Sequence, residues 1–149
     1  MDNKNYLAEK FGKKFAQRKL RVTPQRMAVY EILKTDRNHP SANDVYEKIR
    51  VRFPNISFDT VNRTLMLFAE TGIVEAVEYP GRERRFDGGD QAHHHFYCIE
   101  CGRIIDFMDV RYDRLGLPDD ISRDHTVISK RMVIKGICNK CKKRQKQGG

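Results

Sequence analysis

No stretch of this sequence approaches the roughly 20 consecutive apolar residues that would cross a bilayer. The opening MDNKNYLAEKFGKK also lacks the apolar core of a signal peptide. A cytoplasmic protein with no membrane partner is therefore expected. Acidic side chains are in short supply, 20 against 29 lysines and arginines, which gives a formal charge of +9 and a pI near 9.5. Such an excess suits a polyanion, and nucleic acid is the usual cytoplasmic one, although the same charge also serves solubility. Hydrophobic residues make up only 39% of the 149. A chain so short of core gains from a metal staple or a partner subunit. There is no internal repeat beyond paired cysteines, and no cysteine outside the pairs.

What is present in the first half reads as helices. Leu7, Phe11 and Phe15 recur every four residues and form one apolar stripe among lysines. Thr23-Pro24 is a helix start, a hydroxyl cap followed by proline where its missing N–H costs nothing. Met27, Tyr30 and Leu33 then share a face. Ser41 opens a third helix with Asp44 as a capping-box variant, Val45, Ile49 and Phe53 line its inner side, and Pro54 ends it. A fourth helix runs from about Asp59, with Val61, Leu65 and Phe68 inward and Gly72 as the stop. Ile73 to Tyr79, a Pro80-Gly81 turn and Arg82 to Phe86 read as a hairpin with a basic second strand. Helices followed by a basic hairpin describe a winged helix-turn-helix. Asn62 and Arg63 would face the major groove, and Arg82 and Arg84 of the wing would meet phosphates. A plain helical bundle with a solvated basic hairpin fits the same pattern.

Asp87-Gly88-Gly89-Asp90 looks like a hinge, and beyond it the period becomes strand-like over His95 to Ile99, Arg103 to Phe107 and Val127 to Ile137. Pro118 falls in a connecting loop after a short helix. The expected fold class is α+β, with a winged-helix domain over 1–84, a hinge over 85–92, a small α/β domain over 93–141 and a disordered basic tail over 142–149.

All four cysteines fall in two C-x-x-C pairs, Cys98/Cys101 and Cys138/Cys141. Two residues between thiolates let one tight turn offer both sulfurs to one ion, and two such knuckles complete a tetrahedron around structural zinc. Disulfides fit a reducing cytoplasm badly, and a redox pair would account for only one of the motifs. In the run His93-His94-His95, strand alternation puts His93 and His95 on one face and His94 on the other. Asp87, Asp106 and the distant His39 add to a mixed imidazole and carboxylate set that suits Fe(II), Mn(II), Zn(II) or Ni(II) better than Cu(I). Each of these residues also has a plain reading as a loop or strand-end group. His94 and His125 are expected to be non-ligands.

Taken together, these residues resemble the ferric uptake regulator family, most closely its peroxide-sensing branch. The likeness runs through VTPQR from Val22, HPSANDVY from His39, SFDTVNRTL from Ser57, RFD from Arg85, HHHFYCIECGRIIDF from His93 and the final C-N-K-C. The resemblance implies a dimerisation role for the second domain and repression by a metal-loaded homodimer on a palindromic operator in double-stranded DNA. It puts the structural zinc on Cys98, Cys101, Cys138 and Cys141. It puts a regulatory Fe(II) or Mn(II), or alternatively Zn(II), on His39, Asp87, His93, His95 and Asp106. His39 and His93 match the positions that peroxide oxidises in that branch, and the alternative is a regulator of iron or zinc uptake without oxidation chemistry. Relatives usually carry tyrosine at the position of Asn62, so no operator sequence is implied. Ala92 and Ile137 stand where some relatives place histidines for a further metal, so that site is not expected. No enzyme and no small-molecule substrate are expected, because a closed four-cysteine zinc and a five-ligand ion leave little room for a reacting group.

Overall fold

Among the described residues, four helices and a short hairpin build the first half, and a three-stranded sheet with three helices builds the second. A computed structural model of the chain describes residues 3–78, 81–89, 93–127 and 130–148. These divide into two compact units, Met1–Asp90 and Gln91–Gly149.

The first unit contains α1 (Asn3–Gln17), α2 (Pro24–Thr35), α3 (Ala42–Ile49) and α4 (Phe58–Glu70), then β1 (Glu75–Val77) and β2 (Arg85–Asp87). Its helix starts follow side-chain chemistry. The Thr23 hydroxyl accepts from the Arg26 N–H at 3.2 Å. Ser41 and Asp44 each accept from the other's backbone N–H, at 3.2 and 2.9 Å. α4 begins at Phe58, one residue earlier than expected, because Ser57 caps it by accepting from the Thr60 N–H. α3 ends at Ile49, well short of Pro54, and the Ile49 carbonyl accepts from both Arg52 and Phe53 as the chain turns out of the helix. Phe11, Phe15, Tyr30, Val61, Leu65 and Phe68 are completely buried. Phe15 meets Phe68 edge-on at 5.3 Å, so α1 is sealed onto α4 by aromatic contact. Gly72 adopts φ +72°, the left-handed stop that follows many helices.

β1 and β2 pair antiparallel, with Glu75 opposite Asp87. The basic strand expected over Arg82 to Phe86 is displaced. Only Arg85–Asp87 is extended, while Arg82 and Arg84 lie in the connecting loop, and Tyr79 and Pro80 of the expected turn lie outside the described residues. The cause is a second anchor. Arg85 bridges to Ser41 and the Phe86 N–H donates to the Pro40 carbonyl at 3.0 Å, so β2 is held between β1 and the start of α3. Residues 85–87, expected in the hinge, therefore belong to the first unit, and Asp90 to Ala92 of that hinge lie outside the described residues.

In the second unit the sheet order is β4-β3-β5, from β3 (His94–Cys98), β4 (Ile104–Phe107) and β5 (Val133–Gly136). β4 is antiparallel to β3, with His95 opposite Asp106, and β5 is parallel to β3. A parallel neighbour needs a long crossover, and here it carries α5 (Val110–Asp113) and α6 (Asp119–Asp124), with Pro118 at the start of α6. The strand expected over Val127 to Ile137 shrinks to four residues, and Ile128 and Ser129 lie outside the described residues. The tail expected to be disordered from residue 142 is instead the body of α7 (Asn139–Gln147), anchored by the buried Cys138 and Cys141 at its start. Among the described residues, the apolar core of this unit, apart from Tyr97, is Cys98, Cys138 and Cys141, with Phe96 packed against them. Met108, Val110, Leu115, Val133 and Ile134 remain exposed.

Gly88 gives the sharpest test of this packing. A Cβ there would lie 2.6 Å from the Leu33 carbonyl oxygen, which is backbone and cannot swing away. Gly88→Ala should therefore cost roughly 1–3 kcal/mol of stability, read as a lower urea midpoint. An unchanged midpoint would contradict this placement of residue 88.

Candidate metal and DNA-binding sites

The two cysteine knuckles converge. Cys98 ends β3, Cys101 closes the turn before β4, Cys138 caps α7 and Cys141 sits in the first turn of α7. The Gly102 N–H returns to the Cys98 carbonyl at 2.9 Å, and Gly102 takes φ +73°, which lets the chain reverse within the knuckle. All four Sγ atoms lie within 4.8 Å of one another, and those of Cys101 and Cys138 are 3.8 Å apart. Sulfurs held 2.3 Å from a tetrahedral zinc would be separated by about 3.8 Å. The donor set thus fits zinc in both chemistry and spacing.

Electrostatics support the same conclusion. Burial works to raise the Cys98 thiol, but backbone N–H groups of Cys101, Cys138 and Glu100 outweigh it and bring the pKa down to about 6. The Cys138 N–H donates to the Cys98 sulfur at 3.3 Å. Burial, together with the neighbouring thiols, pushes Cys141 up to about 12. Four sulfurs this close cannot all ionise unaided, because each thiolate repels the next. A divalent cation removes that obstacle, so binding must displace the Cys141 proton.

The imidazole and carboxylate candidates form two sets, one on each unit. In the first unit, His39 lies 3.6 Å from Asp87, Nε2 to Oδ2, and both side chains are buried. The attachment of β2 beside Pro40 and Ser41 brings these residues together across 48 positions of sequence. His39 adopts φ +54° immediately before Pro40, a conformation a non-glycine residue rarely takes. In the second unit, the Asp106 Oδ1 lies 3.3 Å from His95 Nε2 and 3.6 Å from His93 Nε2. The cross-strand pairing of β3 with β4 makes this set, and the two rings meet edge-on at 4.9 Å. Two of the three contacts exceed hydrogen-bond length. Donor atoms held about 2.1 Å from a shared ion stand about 3.0–3.5 Å apart, so the 3.3 Å contact falls in that range and the two 3.6 Å contacts lie just beyond it.

His94 points the other way, as strand alternation requires. Its Nδ1 accepts from the Met132 N–H at 3.0 Å, so its proton is on Nε2, which donates to Asp113 at 2.9 Å. Sequence reasoning set it aside as a ligand but missed this clamp, which joins β3 to α5 and to the approach to β5. No local signal marks it, because its partners are 19 and 38 residues away. His125 is exposed.

Asn62 and Arg63 lie in the second turn of α4, where Arg63 Nε donates to Asp59 at 2.7 Å. They line an open cleft with Thr23, Gln25 and Arg26 from the start of α2. Sequence reading took Thr23 only as a cap and overlooked Gln25 and Arg26 as surface groups beside the reading helix. Arg84 is more committed than expected, since it pairs with Glu78. Arg82 is exposed in the loop.

The family model described as the ferric uptake regulator family matches residues 17–135. This chain belongs to that family. Among relatives, the peroxide-responsive repressor PerR of Staphylococcus epidermidis is 36% identical over 123 residues, 83% of this chain and 82% of that protein. The solved structure of the Campylobacter jejuni peroxide stress regulator aligns with a TM-score of 0.68 and 25% identity, covering 90% of this chain and 98% of that one. The Helicobacter pylori ferric uptake regulator Fur aligns over 95% of each chain with a TM-score of 0.71, and at 22% identity that likeness is one of fold. Among the described residues of this family member, no helix is long and apolar enough to cross a membrane.

Zinc chemistry in this regulator is open to direct measurement. The purified protein should hold about one tightly bound zinc per chain, and Cys98→Ser or Cys138→Ser should release it and unfold the second unit. Rebinding at pH 7.5 should liberate at least about one proton per zinc, from Cys141, read as buffer-dependent heat in calorimetry. Full zinc retention in both variants would remove the assignment.

Proposed function

We propose that this chain is a metal-dependent transcriptional repressor whose homodimer binds a palindromic operator and lets go when peroxide oxidises a ligand imidazole. One observation carries the reading, the division of the histidine and carboxylate set between the units. His39 and Asp87 come from the unit with the reading helix, and His93, His95 and Asp106 come from the other. Neither two nor three ligands complete the shell of a ferrous or manganous ion. If both sets serve one ion, metal occupancy becomes coupled to the angle between the units, because the ligand-competent arrangement binds more tightly than the rest. Occupancy then controls how two reading helices are presented to successive half-sites. The strained backbone at His39 supports this role, since strain is retained where it aims a functional group.

The homodimer follows from the apolar side chains left exposed on the second unit. A unit whose own core is little more than Cys98, Cys138, Cys141, Tyr97 and the packed Phe96 gains most by covering Met108, Val110, Leu115, Val133 and Ile134 with a second copy. On α4, Asn62 has the donor and acceptor pair that matches an adenine edge, and Arg63 has the fork that matches guanine. Its bond to Asp59 limits the directions in which that fork can point.

Peroxide sensing is supported by the relatives that carry that name and by aspartate at position 106, where iron-uptake relatives often carry the longer glutamate. When bound, ferrous iron supplies one-electron reduction of peroxide within reach of the ligand rings. His39 and His93 are the rings expected to take up oxygen. An oxidised ring is a poorer ligand, so His39 would loosen the tie from the DNA-reading side and His93 from the other.

Three outcomes are expected. Duplex binding by the full-length protein should require Fe(II) or Mn(II) under anaerobic conditions, and binding that ignores metal would sink the repressor reading. Arg63→Ala should cost about 1–3 kcal/mol and relax sequence discrimination, whereas Arg84→Ala should weaken all duplexes alike and flatten the salt slope by about one. After stoichiometric peroxide, mass spectrometry should find an added oxygen on His39 or His93 in the Fe(II) form and none in the Mn(II) form. Unmodified histidines with DNA still bound would leave a regulator that responds to metal level alone.

A further inference from the structure

The charge of the second unit is distributed very unevenly. Residues 91–149 contain twelve lysines and arginines against seven aspartates and glutamates. Five of the twelve, Lys140, Lys142, Lys143, Arg144 and Lys146, belong to α7, which has no acidic residue. Without that helix the unit is electrically balanced. More than half of the chain's formal +9 is therefore concentrated in nine residues.

This helix is also built to hold its charges outward. Cys141 is buried, and the exposed Gln145, one turn further on, bonds to Glu100 of the first knuckle, so positions 141 and 145 mark the side of the helix turned toward the knuckle. At 100° per residue, the five basic side chains occupy the remaining arc, and all five residues are exposed. Lys140, Lys142, Lys143 and Lys146 form no side-chain bond with the described residues, and only Arg144 turns back, its Nη2 3.6 Å from the Cys141 sulfur. Local charge balance does not account for the cluster. Four thiolates around a divalent ion leave two negative charges, and five positive charges exceed them. A frayed, merely solubilising tail would not be seated on two buried cysteines.

We propose that α7 is a second nucleic-acid contact, a basic helix that engages the phosphate backbone of duplex DNA without reading its bases. The proposal rests on the DNA-binding reading above and extends it. Where α4 offers groups suited to base edges, α7 offers lysine ammonium groups, which act on phosphates as point charges and carry no sequence information. Neutralised phosphates release counterions, so such a contact is registered in the salt dependence of binding.

The test uses the full-length, zinc-replete, Mn(II)-loaded protein and the variant K142Q/K143Q/K146Q, which spares Lys140 between the cysteines and Arg144 at the sulfur. The probes are a duplex that the parent selects from a random library and a scrambled duplex of equal length. For the variant, the slope of log affinity against log salt should be shallower by about 2–3 per bound protomer. Both duplexes should weaken by the same factor, at least about tenfold at 0.15 M salt, and Lys→Arg at the same three positions should keep the parent slope. Unchanged slopes on both duplexes would overturn the proposal, as would a loss confined to the selected duplex, which would mean base reading. If the parent selects no sequence while the scrambled-duplex slope still falls, α7 stands as a DNA contact and the operator-specific reading fails.

Discussion

Four thiols gathered within a few ångströms cannot all ionise unless a cation sits among them. The second unit depends on that constraint. Its strands are short, its apolar side chains largely face outward, and its tightest packing is Cys98, Cys138 and Cys141 against Phe96. The first knuckle fixes the turn from β3 to β4, and the second fixes the passage from β5 into α7. The ion that ties the knuckles therefore also sets the register that puts Asp106 beside His93 and His95. On the proposed reading, the structural metal is a condition for the regulatory one.

The first unit solves a comparable problem with ordinary packing. Buried phenylalanines join α1 to α4, and caps set the ends of α2, α3 and α4. The small β2 strand is shared between β1 and the residues that lead into α3. That shared strand creates the His39 and Asp87 pair, so two of the five proposed sensory ligands come from the same hydrogen bonds that complete the winged-helix body. Gly88 leaves this body against the Leu33 carbonyl, where no side chain fits. A repressor that couples metal to DNA needs ligands on both sides of a joint, and on the proposed reading the residues around β2 would supply one share and the β3–β4 pair the other.

Local chemistry was legible in the sequence, and long-range placement mostly was not. The hydroxyl caps at Thr23 and Ser41, the buried stripe of Val61, Leu65 and Phe68 and the two cysteine pairs all follow from spacing, and the structure has them. Alternation correctly separated His94 from its neighbours, but its clamp to Asp113 and Met132 depends on a crossover that no local pattern encodes. The wing was misread because RERRF looks like a basic strand, whereas the bonds from Arg85 and Phe86 to residues 40 and 41 move the extended segment toward the carboxylate. Lysine and glutamine after Cys141 suggested a frayed end. They are also good helix formers, and two buried cysteines are enough to start the helix.

The central claim is that one regulatory ion takes ligands from both units. Mn(II) bound to the zinc-replete protein, with histidine nitrogens isotopically labelled, reports coordinated imidazoles through its electron spin echo modulation. The account predicts that His39→Ala loses one imidazole coupling while those from His93 and His95 remain, and that metal-dependent DNA binding is lost with it. An unchanged set of couplings in His39→Ala would show that the first unit contributes no ring to that ion, and would contradict the account.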